Sequence, residues 1–263
     1  MRKIACCSGG KDSVAMTDKL IELGDVDEVV FYDTGLEFKC IYKIMEKIKQ
    51  TAESKGIKFT VLRPKCDMCY LMFEKPVKKR NGTIQNGYSW CGGRCRWGTT
   101  EKLKAMEKYC KGHIEYVGIA VDEPKRLEKE RNGNKVFPLV DWNMTEKDCL
   151  EYCYSKGYSW VEYQGEYALK YGVELYSILD RVSCWCCGNK NILELYNMFC
   201  YLPEYWARLR GFQQKTDRLF KKNYSIEDLH KKFYDHLNGD KEWKYLRKAK
   251  KPIILTHQED KGE

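Results

Sequence analysis

The stretch KIACCSGGKDS, Lys3–Ser13, decides how the rest of the chain reads. Lys3–Cys7 has the apolar run of a buried strand, and Ser13–Leu23 reads as a helix. Between them, Ser8-Gly9-Gly10 offers consecutive backbone N–H groups. Glycine lets such a turn curl into an anion nest, and the helix that follows adds the positive end of its dipole. Ser8 and Ser13 can each offer a hydroxyl to a phosphate oxygen, and Lys11 supplies a point charge. Asp12 can cap the helix or hold a hydrated Mg²⁺. The alternative is a plain strand-turn-helix. The spacing is not the GxxxxGK[ST] of the common nucleotide triphosphatases.

Working outward, Glu28–Tyr32 reads as a second strand, Phe38–Lys55 as a helix and Lys58–Leu62 as a third strand. This alternation argues for an α/β fold with a Rossmann-like, doubly wound parallel sheet. Ligands in such sheets sit at the carboxyl ends of the strands, where the glycine loop falls. The regularity stops at Pro64, where a Cys-, Gly- and Lys-rich insert covers 64–98. Further on, the pattern predicts a helix over Thr99–Tyr109, a strand over His113–Ala120 and an extended piece over Val136–Val140. It then predicts helices over Thr145–Ser155, with Thr145 as N-cap, and over Tyr167–Leu179. Helices over Asn191–Tyr201, Pro203–Lys222 and Ser225–Leu237 complete a helical C-terminal extension. The expected organisation is a nucleotide-binding domain over 1–160 that carries the insert, then a helical region over 161–263 that carries Cys184-Trp185-Cys186-Cys187.

The 263 residues suffice to bury a core around a sheet. No stretch approaches the ~20 apolar residues of a membrane span, and no secretory signal is visible. A cytoplasmic protein with no membrane partner is the expectation. The net charge of +9 favours anionic partners such as nucleotides or nucleic acid. Fourteen cysteines without an export signal point to metal or redox chemistry where they cluster. Cys6, Cys7, Cys40, Cys110, Cys149, Cys153 and Cys200 read as small packing residues.

At SGGKDS the chain resembles the PP-loop adenine-nucleotide α-hydrolase superfamily, and within it the phosphoadenosine phosphosulfate (PAPS) reductase-like family. Tyr32-Asp33-Thr34-Gly35-Leu36-Glu37-Phe38 is similar to that family's DTG-x-x-F stretch. Gly118-Ile119-Ala120-Val121-Asp122-Glu123-Pro124-Lys125-Arg126 is similar to its G-I-R-x-D-E-x-x-R segment, and Phe137–Trp142 to its P-L-x-x-W. The resemblance implies that Ser8, Gly9, Gly10, Lys11, Asp12 and Ser13 bind ATP through its pyrophosphate. It also implies attack at the α-phosphorus and roles for Asp33, Gly118 and Glu123 in binding the nucleotide or its Mg²⁺. Lys11, Asp12, Asp33 and Arg126 are the catalytic candidates, with Arg126 a fork for phosphate or sulfate. A turn aspartate at Asp33 and a local Glu123–Arg126 ion pair are the plainer alternatives.

The chain also departs from the reductases. They carry a nucleophilic cysteine in a C-terminal Glu-Cys-Gly-Leu-His motif, and here no cysteine follows Cys200. Their phosphate loops are often degenerate, whereas this loop keeps Lys11, Asp12 and both serines. Both departures point to an adenylating ATP pyrophosphatase that serves sulfur transfer to a nucleic acid (tRNA or DNA) or a small molecule. A sulfur donor protein such as a cysteine desulfurase is the implied partner. A PAPS or APS reductase-like oxidoreductase is the second reading, and a non-catalytic zinc-containing nucleic-acid-binding module the third.

Three cysteine groups stand out: Cys66/Cys69, Cys91/Cys95 and Cys184/Cys186/Cys187. Separated pairs can supply four thiolates to zinc or an iron–sulfur cluster. By the family's placement of its cluster, Cys91, Cys95, Cys184 and Cys187 are expected to hold a [4Fe-4S] cluster, with zinc as the alternative. Cys186 is the substitute ligand and Cys66/Cys69 a second site. From Glu74 to Lys104 the chain has eight Lys/Arg against two Glu. Lys75, Lys78, Lys79, Arg80, Arg94 and Arg96, interleaved with Tyr88, Trp90 and Trp97, therefore form a candidate nucleic-acid surface.

Overall fold

A computed structural model describes residues 1–91, 99–130, 133–165, 170–239, 243, 246 and 252–256. The chain divides into two compact units, Met1–Lys65 with Thr99–Ser159, and Cys66–Gly98 with Trp160–Glu263. The cysteine-rich insert thus belongs with the C-terminal part.

The first unit is a five-stranded parallel sheet in the order β3-β2-β1-β6-β7. Its strands are β1 (Lys3–Cys6), β2 (Glu28–Tyr32), β3 (Lys58–Leu62), β6 (Ile114–Val117) and β7 (Lys135–Val136). The strand order reverses between β1 and β6, and an open α/β sheet forms its ligand crevice at such a point. Helix α1 (Lys11–Leu23) leaves the tip of β1, and α2 (Lys39–Ser54) links β2 to β3. In α2 the buried residues Cys40, Ile41, Ile44, Met45, Ile48 and Ala52 recur at helical spacing and form one apolar stripe. Helix α3 (Thr99–Cys110) sets Met106 and Cys110 against Ile4, Val30 and Tyr32 of the sheet. Short helices α4 (Pro124–Glu130) and α5 (Pro138–Asp141) precede α6 (Glu146–Ser155). As expected, Thr145 caps α6, in a reciprocal box with Asp148. Helix α6 is tied to α1 by Tyr152 and Tyr158, whose hydroxyls donate to buried Asp18 at 3.0 and 2.6 Å.

The second unit holds the hairpin of β4 (Pro76–Lys78) and β5 (Ile84–Asn86), after a π-helical turn over Tyr70–Glu74. It also holds an antiparallel sheet, β10-β9-β8, built from β8 (Val161–Gln164), β9 (Tyr171–Glu174) and β10 (Ile254–Thr256). Helices α7 (Leu175–Ile178), α8 (Ile192–Tyr201), α9 (Pro203–Gln213) and α10 (Ile226–Leu237) complete it. Several expectations are corrected here, among them the extended piece over Val136–Val140, where Pro138–Asp141 is helical. Among the described residues of the stretch expected as a helix over Tyr167–Leu179, Tyr171–Glu174 is a strand paired on both sides, and Leu175–Ile178 is the helical part. The helix that starts at Pro203 stops at Gln213. Trp90, expected in a nucleic-acid surface, is buried edge-on against Phe73 and Phe220. Among the described residues, no helix is long and apolar enough to cross a membrane.

Candidate functional site

The loop after β1 is shaped by two glycines that no other residue could replace without strain. Gly9 has φ +81°, and a Cβ there would sit 2.7 Å from Ile41 Cγ2. Gly118, just beyond β6, lies so close to α1 that a Cβ would stand 2.8 Å from Ser13 Cα. The candidate binding role of Gly118 therefore comes with a packing reason: two strand ends meet at the first turn of one helix. Ser13 ties the loop to itself. Its Oγ accepts the Ser8 N–H at 3.0 Å, donates to the Gly10 carbonyl at 2.9 Å and stands 3.0 Å from Ser8 Oγ. Gly10 caps α1 in an extended conformation with no side-chain cap, and Asp12 is the acid of the helix's first turn.

Behind the loop, one buried lysine stands among carboxylates. Lys11 Nζ is 3.0 Å from Glu146 Oε2 and 3.3 Å from Asp12 Oδ1. Burial pulls the Lys11 ammonium down, but Asp12 and Glu146 outweigh it and raise it above its ordinary value. Asp12 is pushed up to about 6 by burial and by the charges of Glu146 and Glu123, against the pull of Lys11. Its buried Oδ1 has no hydrogen-bond donor, although the Lys11 ammonium is in ion-pair range. Oxygens of Asp12, Glu123 and Glu146 lie within 4.8 Å of one another, a spacing that suits a hard divalent cation. The donor set and the orphaned oxygen fit Mg²⁺.

The other candidates fall at different distances from this centre. Glu123 is buried and joins it, accepting from Arg126 Nη1 at 2.6 Å. Arg126 is thus held in a local ion pair. Asp33 is engaged elsewhere: it accepts from the Gly35 N–H at 2.9 Å and the Tyr42 hydroxyl at 3.0 Å, with Arg63 Nε 3.3 Å away. Glu146 is the residue that sequence reasoning missed. It opens a capped helix, where a carboxylate reads as a partner for the helix dipole. Its own N–H donates to Asp122 Oδ1 at 3.0 Å, which fixes that turn beside the G-x-x-x-D-E segment.

In the second unit, Cys184-Trp185-Cys186-Cys187 forms a tight turn in which the Cys187 N–H donates to the Cys184 carbonyl at 3.0 Å. The Gly188 N–H donates to the Cys91 carbonyl, which joins the turn to the insert. A hydrogen bond with Cys91 pulls the buried Cys186 thiol down. Burial and the neighbouring Cys184, Cys187 and Cys69 then push it above its ordinary value. The structure thus brings Cys69, expected in a second site, into the neighbourhood of Cys91, Cys184 and Cys187. Cys66 is exposed, and Cys95 lies outside the described residues. Buried Trp185 Nε1 lacks an acceptor, and Arg208 stacks 4.2 Å over its ring. Thiols without histidine, next to an orphaned donor, fit an iron–sulfur cluster or zinc. Among the described residues, however, the groups of three or more donors gathered within 4.8 Å both belong to the first unit. On the hairpin, Lys78, Lys79 and Arg80 are exposed, and Lys75 lies 5.6 Å over the Tyr88 ring. Arg94, Arg96 and Trp97 lie outside the described residues.

Comparison with known proteins agrees with the fold. The phosphoadenosine phosphosulfate reductase domain family is matched over residues 2–171, more than half of the chain. An uncharacterised protein of Methanocaldococcus jannaschii is 26% identical over 241 residues, covering 84% of this chain and 51% of its own. A second from the same organism is 28% identical over 232 residues, covering 79% and 41%. An adenosine 5'-phosphosulfate reductase of a Geobacillus species is 25% identical over 165 residues, covering 58% and 63%. The chain spans about half the length of the curated relatives it matches.

Proposed function

Because this chain belongs to the phosphoadenosine phosphosulfate reductase domain family, we propose that it is a PP-loop enzyme that cleaves ATP to AMP and pyrophosphate by adenylating an acceptor. The observation that carries this reading is the buried Lys11 set among Asp12, Glu123 and Glu146 at the tip of β1. A loop that only holds a nucleotide needs donors. A loop that cleaves one also needs to stabilise the charge that builds on the departing group. The N–H groups of Gly9 and Gly10 and the hydroxyls of Ser8 and Ser13 cradle the β- and γ-phosphates. Lys11 turns from Glu146 toward the bridging oxygen. The acceptor oxygen bonds to the α-phosphorus, and the bond to the bridging oxygen breaks with its electron pair leaving on pyrophosphate. Asp12, Glu123 and Glu146 would hold Mg²⁺, which supplies further charge neutralisation when bound.

The adenylated acceptor then suits displacement of AMP by sulfur. Cys91, Cys184 and Cys187, with Cys69 or Cys95, would hold a [4Fe-4S] cluster, zinc being the alternative, and the basic hairpin suits a nucleic-acid acceptor such as tRNA or DNA. A desulfurase-type donor would supply the sulfur in a cytoplasmic setting. The likeness to an adenosine 5'-phosphosulfate reductase favours a second reading, reduction of a sulfonucleotide.

The test is anaerobic purification, iron, sulfide and zinc analysis, and ATP–pyrophosphate exchange with tRNA, DNA and small acceptors. Exchange that disappears in Lys11→Ala supports adenylation. Sulfite release from a sulfonucleotide with a thiol reductant, without exchange, supports the second reading and sinks the first.

A further inference from the structure

The first unit holds another group of donors, on the face of the sheet that α3 covers. Cys6 ends β1, Cys110 ends α3 and Glu115 lies on β6. One ligand atom from each lies within 4.8 Å of the other two. Cys110 is 4% exposed, while Cys6 and Glu115 are half-buried. The Cys6 thiol points at Glu115 Oε1 from 3.6 Å. That spacing is informative. In a tetrahedral zinc site, with Zn–S about 2.3 Å and Zn–O about 2.1 Å, sulfur and oxygen stand about 3.6 Å apart. Cys6 meets a second thiol and a carboxylate, brought in by three different elements. Its neighbour Cys7 is buried, with Ser13 and Thr17 as polar neighbours.

We propose that Cys6, Cys110 and Glu115 form a binding site for a borderline-soft divalent cation of the Zn²⁺ class, with a water in the fourth position. Two soft thiolates and one carboxylate suit Zn²⁺ over Mg²⁺ or Ca²⁺, which prefer all-oxygen shells. The half-buried edge at Cys6 and Glu115 gives solvent access to the fourth position. On binding, each thiol gives up its proton to solvent, two Zn–S bonds and one Zn–O bond form, and no oxidation state changes. The ion would staple the end of α3 and strand β6 to the strand that runs into the phosphate loop. This site does not depend on the proposed activity, since none of its ligands touches the Lys11 centre.

The test counts zinc per chain in full-length protein purified anaerobically with zinc, alongside Cys110→Ser and Glu115→Gln. Zinc bound by the second unit's thiols is common to all three, so the difference reports on this site. Cys110→Ser should lose one zinc per chain, and Glu115→Gln should release that zinc to a chelating dye about tenfold more readily. Alkylation mapped by peptide mass spectrometry should show Cys6 and Cys110 protected until the chelator is added. Equal zinc in all three proteins, zero included, overturns the site, and so does recovery of Cys6 and Cys110 as a mutual disulfide from zinc-replete protein. If Cys110→Ser does not fold, Glu115→Gln decides, because Glu115 is half-buried and keeps its shape as glutamine.

Discussion

The carboxylates around Lys11 and the thiols around Cys186 are both donor sets for cations, but they store their charge in different ways. The first has a cation of its own: Lys11 stands within ion-pair distance of two of the three acids. In the second, burial together with neighbouring sulfurs keeps the Cys186 thiol in its protonated form. A carboxylate centre with an internal lysine is assembled before any ligand arrives, and the lysine must then swing from acid to phosphate. A thiol centre gains its charge only when a metal displaces its protons. The first should therefore respond to changes in charge, and the second to metal and reductant.

The hardest blow to that contrast is removal of the internal cation. Lys11→Met should lower ATP–pyrophosphate exchange by about 10²–10³-fold, the scale of losing one preorganised charge-stabilising donor. The same change leaves Asp12 and Glu146 without their shared counter-ion, so Mn²⁺, read by its EPR signal, should bind more tightly than to wild type. Weaker Mn²⁺ binding would mean that Lys11 organises the acids instead of competing with a metal for them.

Next in size is the effect of pH through Asp12. Its folded value of about 6 stands above the ordinary 3.8, so the folded state holds the proton more firmly than the unfolded chain. The stability this contributes is fully present below about pH 4 and is lost as pH rises through about 6. The loss is of order 3 kcal/mol at most, at about 1.4 kcal/mol per unit. Asp12→Asn should accordingly stabilise the protein at pH 8 by up to about 3 kcal/mol and change it little near pH 4, in urea unfolding at the two values. A gain of equal size at both pH values would remove Asp12 as its source. Smaller again is Gly118→Ala. Its Cβ would press on the backbone of Ser13 and Asp12 at 2.8–3.0 Å, so α1 must shift. A loss of about 1–3 kcal/mol and a raised KM for ATP should follow. Unchanged stability would show that the strand ends are free to part.

How much of this was legible in the sequence depends on whether a site is written in one place. The phosphate loop is contiguous, and its strand, glycines and helix lie where Lys3–Ser13 put them. Thr145 was readable as a cap, because capping is a local bargain between a side chain and the next turn. Glu146 was hidden by that same cap, since its meeting with Lys11 across 135 positions is created by the α1–α6 packing. Cys69 reaches the neighbourhood of Cys186 through the fold of the second unit, so the regular spacing of Cys66 and Cys69 pointed to a separate site. Tyr171–Glu174 misled for a related reason. A short apolar run fits a helix or a strand, and pairing with β8 and β10 settles which.

Arg126 gives the smallest expected effect and the finest division between charges that act and charges that hold. Lys11 and Arg126 each pair with an acid of the same cluster, but the Lys11 side chain is 9% exposed and that of Arg126 is 45%. Water around the guanidinium screens its pull, and a half-exposed pair of this kind is worth about 1 kcal/mol or less. Its partner Glu123 is buried, so the work that remains for Arg126 is to fix one carboxylate oxygen at 2.6 Å. Arg126→Ala should then lower stability by less than about 1 kcal/mol and change the KM for ATP less than about threefold, with Mn²⁺ affinity following the freed Glu123. Arg126→Lys should restore the Mn²⁺ affinity, because a point charge suffices to hold one oxygen. If instead the KM rises by about a hundredfold and lysine fails to rescue it, Arg126 leaves Glu123 to grip a phosphate through its fork. It would then count with Lys11 as a group that touches the nucleotide.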